Sequence, residues 1–137
     1  MKIGFTGTRL TPTDPQSDAL TGLLAGCALW YGDFELHHGD CVGADALAAR
    51  IAKAHDFIVH VHPPTEQGMR AWTAGHVMHE PLPYLERNRA IVDATECLIA
   101  VPDGPERTRS GTWSTVRYAR RLGRPVTIVW PDGRVET

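Results

Sequence analysis

Arg109-Ser110-Gly111-Thr112 follows an apolar run, Cys97 to Val101, and a turn-rich connection, Pro102 to Thr108, and it opens onto a stretch of helical spacing. A helix mouth placed just after a buried strand binds anions. Its first N–H groups have no intrahelical acceptor, and Ser110 and Thr112 add hydroxyl donors. Phosphate is the natural guest. Two more glycine turns have the same character: Gly7-Thr8-Arg9, and Gly39-Asp40-Cys41-Val42-Gly43 leading into Ala44 and Asp45. Arg87, Asn88 and Arg89 crowd the polar face of another helical stretch. The turns give Gly7, Thr8, Arg9, Gly39, Asp40, Gly43, Ala44, Asp45, Ser110, Gly111 and Thr112 as candidate phosphate-binding residues. No GxGxxG follows the first apolar run and no GxxxxGK[ST] occurs, so nicotinamide redox chemistry and P-loop hydrolysis lack their motifs and no cofactor is expected.

Elements that could position these turns alternate along the chain. Lys2 to Thr6 reads as a first, central strand. Thr13, Asp14 and Pro15 signal a helix start, and the run from Ser17 to Tyr31 carries Leu20, Leu23, Leu24 and Cys27 at helical spacing. Strands are expected at Phe34 to His38 and Phe57 to Val61, with an alanine-rich helix from Ala44 to His55 between them. Tyr84 to Ala94 is a further helix, Cys97 to Val101 the fourth strand, Gly111 to Leu122 the last long helix and Val126 to Trp130 the fifth strand. Thr65 to Pro83 shows no sustained period and is too long for an ordinary connector, which suggests a lid or a partner surface. Five apolar strands alternating with helices specify one α/β domain, a Rossmann-like three-layer sandwich with a mostly parallel five-stranded sheet. Ligands of such sheets sit beyond the carboxyl ends of the strands, where the candidate turns fall.

The 137 residues suit a single domain. No apolar run is long enough to cross a bilayer and no leader follows Met1-Lys2, so no membrane partner and a cytoplasmic location are expected. Three widely spaced cysteines give neither a disulfide framework nor a metal knuckle. A net charge of −2 argues against a surface built wholly to trap nucleic acid. The charge is nonetheless uneven: residues 69–137 hold ten Lys/Arg, all arginine, against eight Asp/Glu. Among the seven histidines, His60 with His62 and His76 with His79 are closely spaced, but no HExxH or Cys-His pattern completes a ligand set, and no metal site is expected.

Several residues have two readings. Arg89 could serve a ligand or pair with Glu86 and Asp93 along its helix. Asp40 and Asp45 could do chemistry or simply favour a helix start. Trp113 could stack on a base, or join Val116, Ala119 and Leu122 in a core-like series. Met69, Trp72, Val77 and Met78 have no clear place in the core and mark a possible contact between copies of the chain.

The segments GFTGTR, HHGDCVGAD, YLERNRAIVDATECLIAVPDG and RSGTWSTVRYARRLGRPV resemble, in this order, the SLOG superfamily of Rossmann-like domains. The likeness runs from Gly4 to Val129 and is strongest to small stand-alone SLOG proteins; it extends to the DNA-processing protein A family and, more distantly, to the lonely-guy phosphoribohydrolases. It implies a nucleotide or ADP-ribose-like ligand, adds Arg87, Asn88 and Arg89 to the candidate phosphate-binding residues, with Arg87 and Arg89 facing the ligand's phosphate or glycosidic region, and makes Ser110, Gly111 and Thr112 the phosphate turn. Lonely-guy enzymes carry GGxGTxxE, whose glutamate assists N-glycosidic cleavage. Thr115 stands at that position here, and threonine cannot replace a carboxylate in that role. Binding of a small nucleotide-type ligand is the expected function. Nucleotide N-glycosidase activity is the alternative, dependent on Asp40, Asp45, Asp93 or Asp103, and single-stranded DNA binding is a third.

Overall fold

The computed structural model describes residues 1–30 and 32–137. Among these residues seven strands and four helices follow one another as β1 (Lys2–Gly7), α1 (Asp14–Ala28), β2 (Glu35–His38), α2 (Ala44–Ala54), β3 (Ile58–Val61), β4 (Val77–Met78), α3 (Tyr84–Asp93), β5 (Cys97–Val101), α4 (Gly111–Arg121), β6 (Val126–Val129) and β7 (Val135–Glu136). They form one sheet in the order β4-β3-β2-β1-β5-β6-β7. All neighbours are parallel except β6 and β7.

The expected five strands thus become seven, by addition of a two-residue strand at each edge. Two residues are too few for an alternating pattern to register. The Thr65 to Pro83 stretch is not a free lid. Its backbone is tied to the sheet by His76 N–H to Val59 O, His79 N–H to Val61 O and Leu82 N–H to Pro63 O. Helix α1 ends at Ala28, with Leu29 as its cap, and the expected boundary at Tyr31 lies outside the described residues.

The sheet is covered on both sides, and strand alternation decides which residue faces which layer. Ile3, Phe5, Leu36, Val59, Val61, Ile99 and Val101 pack with Leu20 and Leu24 of α1 and Ala44, Ala48 and Ala52 of α2. Leu98, Ala100 and Ile128 face the other way, onto Val92 of α3 and Trp113, Val116 and Ala119 of α4. Trp113 is therefore core rather than a platform for a base. The start of α1 is fixed by a capping box between Thr13 and Gln16, a feature worth about 1 kcal/mol. Gln16 does more, because its buried amide also donates to Pro102 O at 2.7 Å and Val129 O at 3.1 Å, which anchors the loop after β5.

Candidate functional site

Winding reverses between β1 and β5, since β2, β3 and β4 extend to one side of β1 while β5, β6 and β7 extend to the other. Loops leaving the two central strands therefore diverge and open a crevice. A cavity of about 300 Å³ lies there, walled by Gly7 to Leu10 after β1, by Gly39, Cys41 and Asp45, by Tyr84, Arg87 and Asn88 of α3, and by Asp103, Arg107 and Arg109 to Thr112 after β5.

The α4 wall keeps backbone donors available. Ser110 is the N-cap and its hydroxyl accepts from Trp113 N–H at 3.3 Å. Gly111 and Thr112, at the first two helical positions, have no intrahelical acceptor, and both line the cavity. Thr115 is buried, and its hydroxyl donates to Gly111 O at 2.8 Å, so it buttresses the turn instead of facing a ligand.

Arg87 is almost wholly buried, and much of its guanidinium is already engaged. Nη1 donates to Gly39 O and to His62 O at 3.2 Å, and Nε donates to Asn88 Oδ1 at 2.8 Å. Nη2 lies 3.7 Å from Cys41 Sγ. The need for glycine at position 39 follows directly, because a Cβ there would fall 2.6 Å from Arg87 Cζ. Arg87 thus offers the crevice its charge more than its hydrogen bonds. Arg9 stacks on the opposite partner: its guanidinium lies 4.6 Å from the Tyr84 ring centroid, and the Arg87 guanidinium lies 5.4 Å from the same ring. Arg107, on the far wall, pairs with Asp103 at 2.7 Å.

Asp45 is the one deeply buried carboxylate of the wall. Oδ2 accepts from Gly39 N–H at 3.1 Å and Cys41 N–H at 3.2 Å, whereas buried Oδ1 has no hydrogen-bond partner among the described residues. Burial raises its pKa to about 6, against the opposing pull of Arg87 and the two amides.

Four other candidates lie outside the cavity lining. Asp40, at φ 56°, accepts from Arg70 Nε at 2.9 Å, Thr73 N–H at 2.9 Å and Thr73 Oγ1 at 2.6 Å, and so pins the 65–83 segment. Gly43, at φ 88°, lets the chain pass so close to the β1 turn that a Cβ would meet Thr8 O at 2.6 Å. Ala44 spends its N–H on that same Thr8 carbonyl at 2.9 Å. Arg89 lies over the Tyr118 ring at 5.4 Å, and no ion pair joins it to Glu86 or Asp93 among the described residues. Conversely, Tyr84, Arg107 and Arg109 wall the crevice without having been among the candidates; Arg109 belonged to the opening stretch, but nothing in the sequence distinguished Arg107 from its surface neighbours.

A second polar cluster adjoins Arg87 through His62, whose carbonyl accepts from its guanidinium. Glu35 Oε1 is 2.9 Å from both His37 Nε2 and His60 Nε2. His37 Nδ1 lies 2.8 Å from His62 Nε2, and His60 Nδ1 lies 2.9 Å from His79 Nε2. The rings stack in pairs, His37 on His60 with centroids 4.0 Å apart and His62 on His79 at 3.9 Å. Burial lowers the pKa of His37 and His60 and drives that of His62 down to about 2, with the neighbouring rings adding to the effect. The signal in the sequence was partial: His60 and His62 alternate along β3 and the residue after it, but only the parallel register His37 to His60 shows that β2 contributes to the same face.

No family model matches the sequence, and no curated protein matches it. Solved structures do. The molybdenum cofactor binding protein of Rippkaea orientalis superposes with a TM-score of 0.71 at 24% identity over 94% of this chain and 76% of its own. DNA processing protein A of Helicobacter pylori gives 0.71 at 19% identity over 93% of this chain, which spans 64% of that protein. TM1055, a structural-genomics protein, gives 0.69 at 18% identity over 91% and 71%. At these identities the likeness is one of architecture, and its extent fixes the architecture: the chain has the Rossmann-like fold of these three proteins.

Proposed function

We propose that the crevice binds a nucleotide or nucleotide-derived molecule through its phosphate. The observation that carries this reading is the meeting of two free amides at the α4 mouth, the Thr8 and Ser110 hydroxyls, and the Arg9, Arg87 and Arg109 guanidiniums around one cavity. Its volume of about 300 Å³ is at the lower end for small-molecule sites and favours a ligand of nucleoside monophosphate size. Calorimetry with nucleoside monophosphates, ADP-ribose and cyclic derivatives tests it. Micromolar binding that weakens at least about tenfold in Arg9→Ala with Arg109→Ala is the expected result, each lost charge-assisted contact being worth about 1.5–3 kcal/mol. No binding by the intact protein, or undiminished binding by that variant, removes the reading. The Helicobacter pylori neighbour is described as binding single-stranded DNA. An oligonucleotide that binds more tightly than any mononucleotide, with a steep loss of affinity in salt, would move the assignment there.

Asp45 supports a second reading, N-glycosidic hydrolysis. A carboxyl of the cavity lining whose pKa is raised to about 6 is suited to donate a proton to a departing base, work that Thr115 cannot do. Chromatographic release of base from a nucleoside monophosphate, abolished in Asp45→Asn, is its signature. Absence of release by the wild type leaves a binding protein. Self-association is also proposed for the edge beside β4, where Trp72, Val77 and Met78 are exposed, and sedimentation showing only monomer at high concentration would overturn it.

A further inference from the structure

Glu35 and His37 on β2 and His60 on β3 alternate with Leu36, Val59 and Val61, which fill the core beneath α1 and α2. The polar side chains consequently share the opposite side of the sheet, and His62 and His79, just past the ends of β3 and β4, bring two more rings to it. We propose that His37, His62 and His79 bind a divalent transition-metal ion of the zinc type, with Glu35 orienting His37 from behind.

Two features support the assignment. One ring nitrogen from each of His37, His62 and His79 lies within 4.8 Å of the others. Tetrahedral zinc with Zn–N bonds of about 2.0–2.1 Å separates its ligand nitrogens by roughly 3.3 Å, so small ring movements complete the site. Second, Glu35 Oε1 sits 2.9 Å from His37 Nε2, which fixes the proton on that nitrogen and turns the Nδ1 lone pair toward His62 and His79. A carboxylate behind a ligating imidazole is the usual way its ring is oriented and its basicity raised. His79 exchanges its contact with His60 Nδ1 for the ion, and the partly exposed side chains of His60 and Glu35 leave a path from solvent. Three imidazoles leave the fourth position of a tetrahedral ion for water or for His60.

The full chain, stripped with chelator, is dialysed against zinc and analysed for bound metal, with cobalt(II) as the spectroscopic probe. One zinc per chain is expected, together with the intense visible bands of four-coordinate cobalt, which zinc displaces. His79→Ala, at a partly exposed position, should lower zinc affinity by about 100-fold and Glu35→Gln by about 10-fold, both with unchanged far-ultraviolet dichroism. His55→Ala, outside the cluster, should leave binding intact. Substoichiometric zinc in the wild type, or affinity unchanged in His79→Ala, overturns the site and leaves the five groups as an ion-free hydrogen-bonded chain. None of these readouts depends on what the crevice binds.

Discussion

The crevice and the histidine face both touch Arg87 and manage buried charge in opposite ways. On the crevice side the guanidinium of Arg87 is fastened to the carbonyls of Gly39 and His62, so a fixed positive charge sits behind a cavity lined with unused donors. On the histidine face four rings stack in pairs around one carboxylate, and those that are buried present lone pairs instead of charge. The proposed anion site and the proposed cation site thus differ in the charge their walls already carry. The difference also sets their response to acid. Asp45 is held more protonated by folding than by the unfolded chain, and His62 less so.

Removing the shared anchor should have the largest effect. Arg87→Ala strands the Gly39 and His62 carbonyls and empties a buried site, and is expected to cost roughly 3–5 kcal/mol in urea denaturation. A loss below about 1 kcal/mol would show that the two regions do not depend on it. Next is Asp45. Its pKa rises from 3.8 in the unfolded chain to about 6 in the fold, so the native state binds the proton more tightly; this contribution is complete below about pH 4 and disappears as pH rises through 6. Asp45→Asn should flatten that part of the stability profile, a change on the order of 3 kcal/mol. His62 runs the other way. Its pKa falls from 6.5 to about 2, so the stability present above 6.5 is lost progressively as pH falls. In metal-free protein at about pH 5 this amounts to about 2 kcal/mol, which His62→Gln should remove from the pH dependence. The smallest effect belongs to the α4 mouth, where Ser110→Ala removes the acceptor for Trp113 N–H and should cost about 1 kcal/mol in thermal or urea melts.

Elements with a strong apolar signature were legible in the amino-acid sequence. Cys97 to Val101 has the expected bounds because five apolar residues in a row, flanked by turn chemistry, have one solution in a parallel sheet. The glycine turns were legible as well, and the crevice gathers Gly7, Thr8, Gly39, Ser110, Gly111 and Thr112 along its wall. Asp40 and Asp45 were not distinguishable. Both flank the start of α2, yet positive φ at Asp40 turns its carboxylate onto Arg70 and Thr73, while the first turn of α2 points that of Asp45 inward. The histidine face was hidden for a different reason. Its members come from β2, β3 and the segments after β3 and β4, and only pairing register, which no local pattern encodes, brings them together.

The two edge strands that pattern analysis could not reveal bear on how the protein meets other molecules. A sheet ends in unpaired backbone groups, and long flat ends recruit further strands. Here each end is a strand of only two residues, β4 on one side and an antiparallel β7 on the other. Growth by strand addition therefore has almost no template, and any association along the β4 side must be made by the exposed side chains of Trp72, Val77 and Met78.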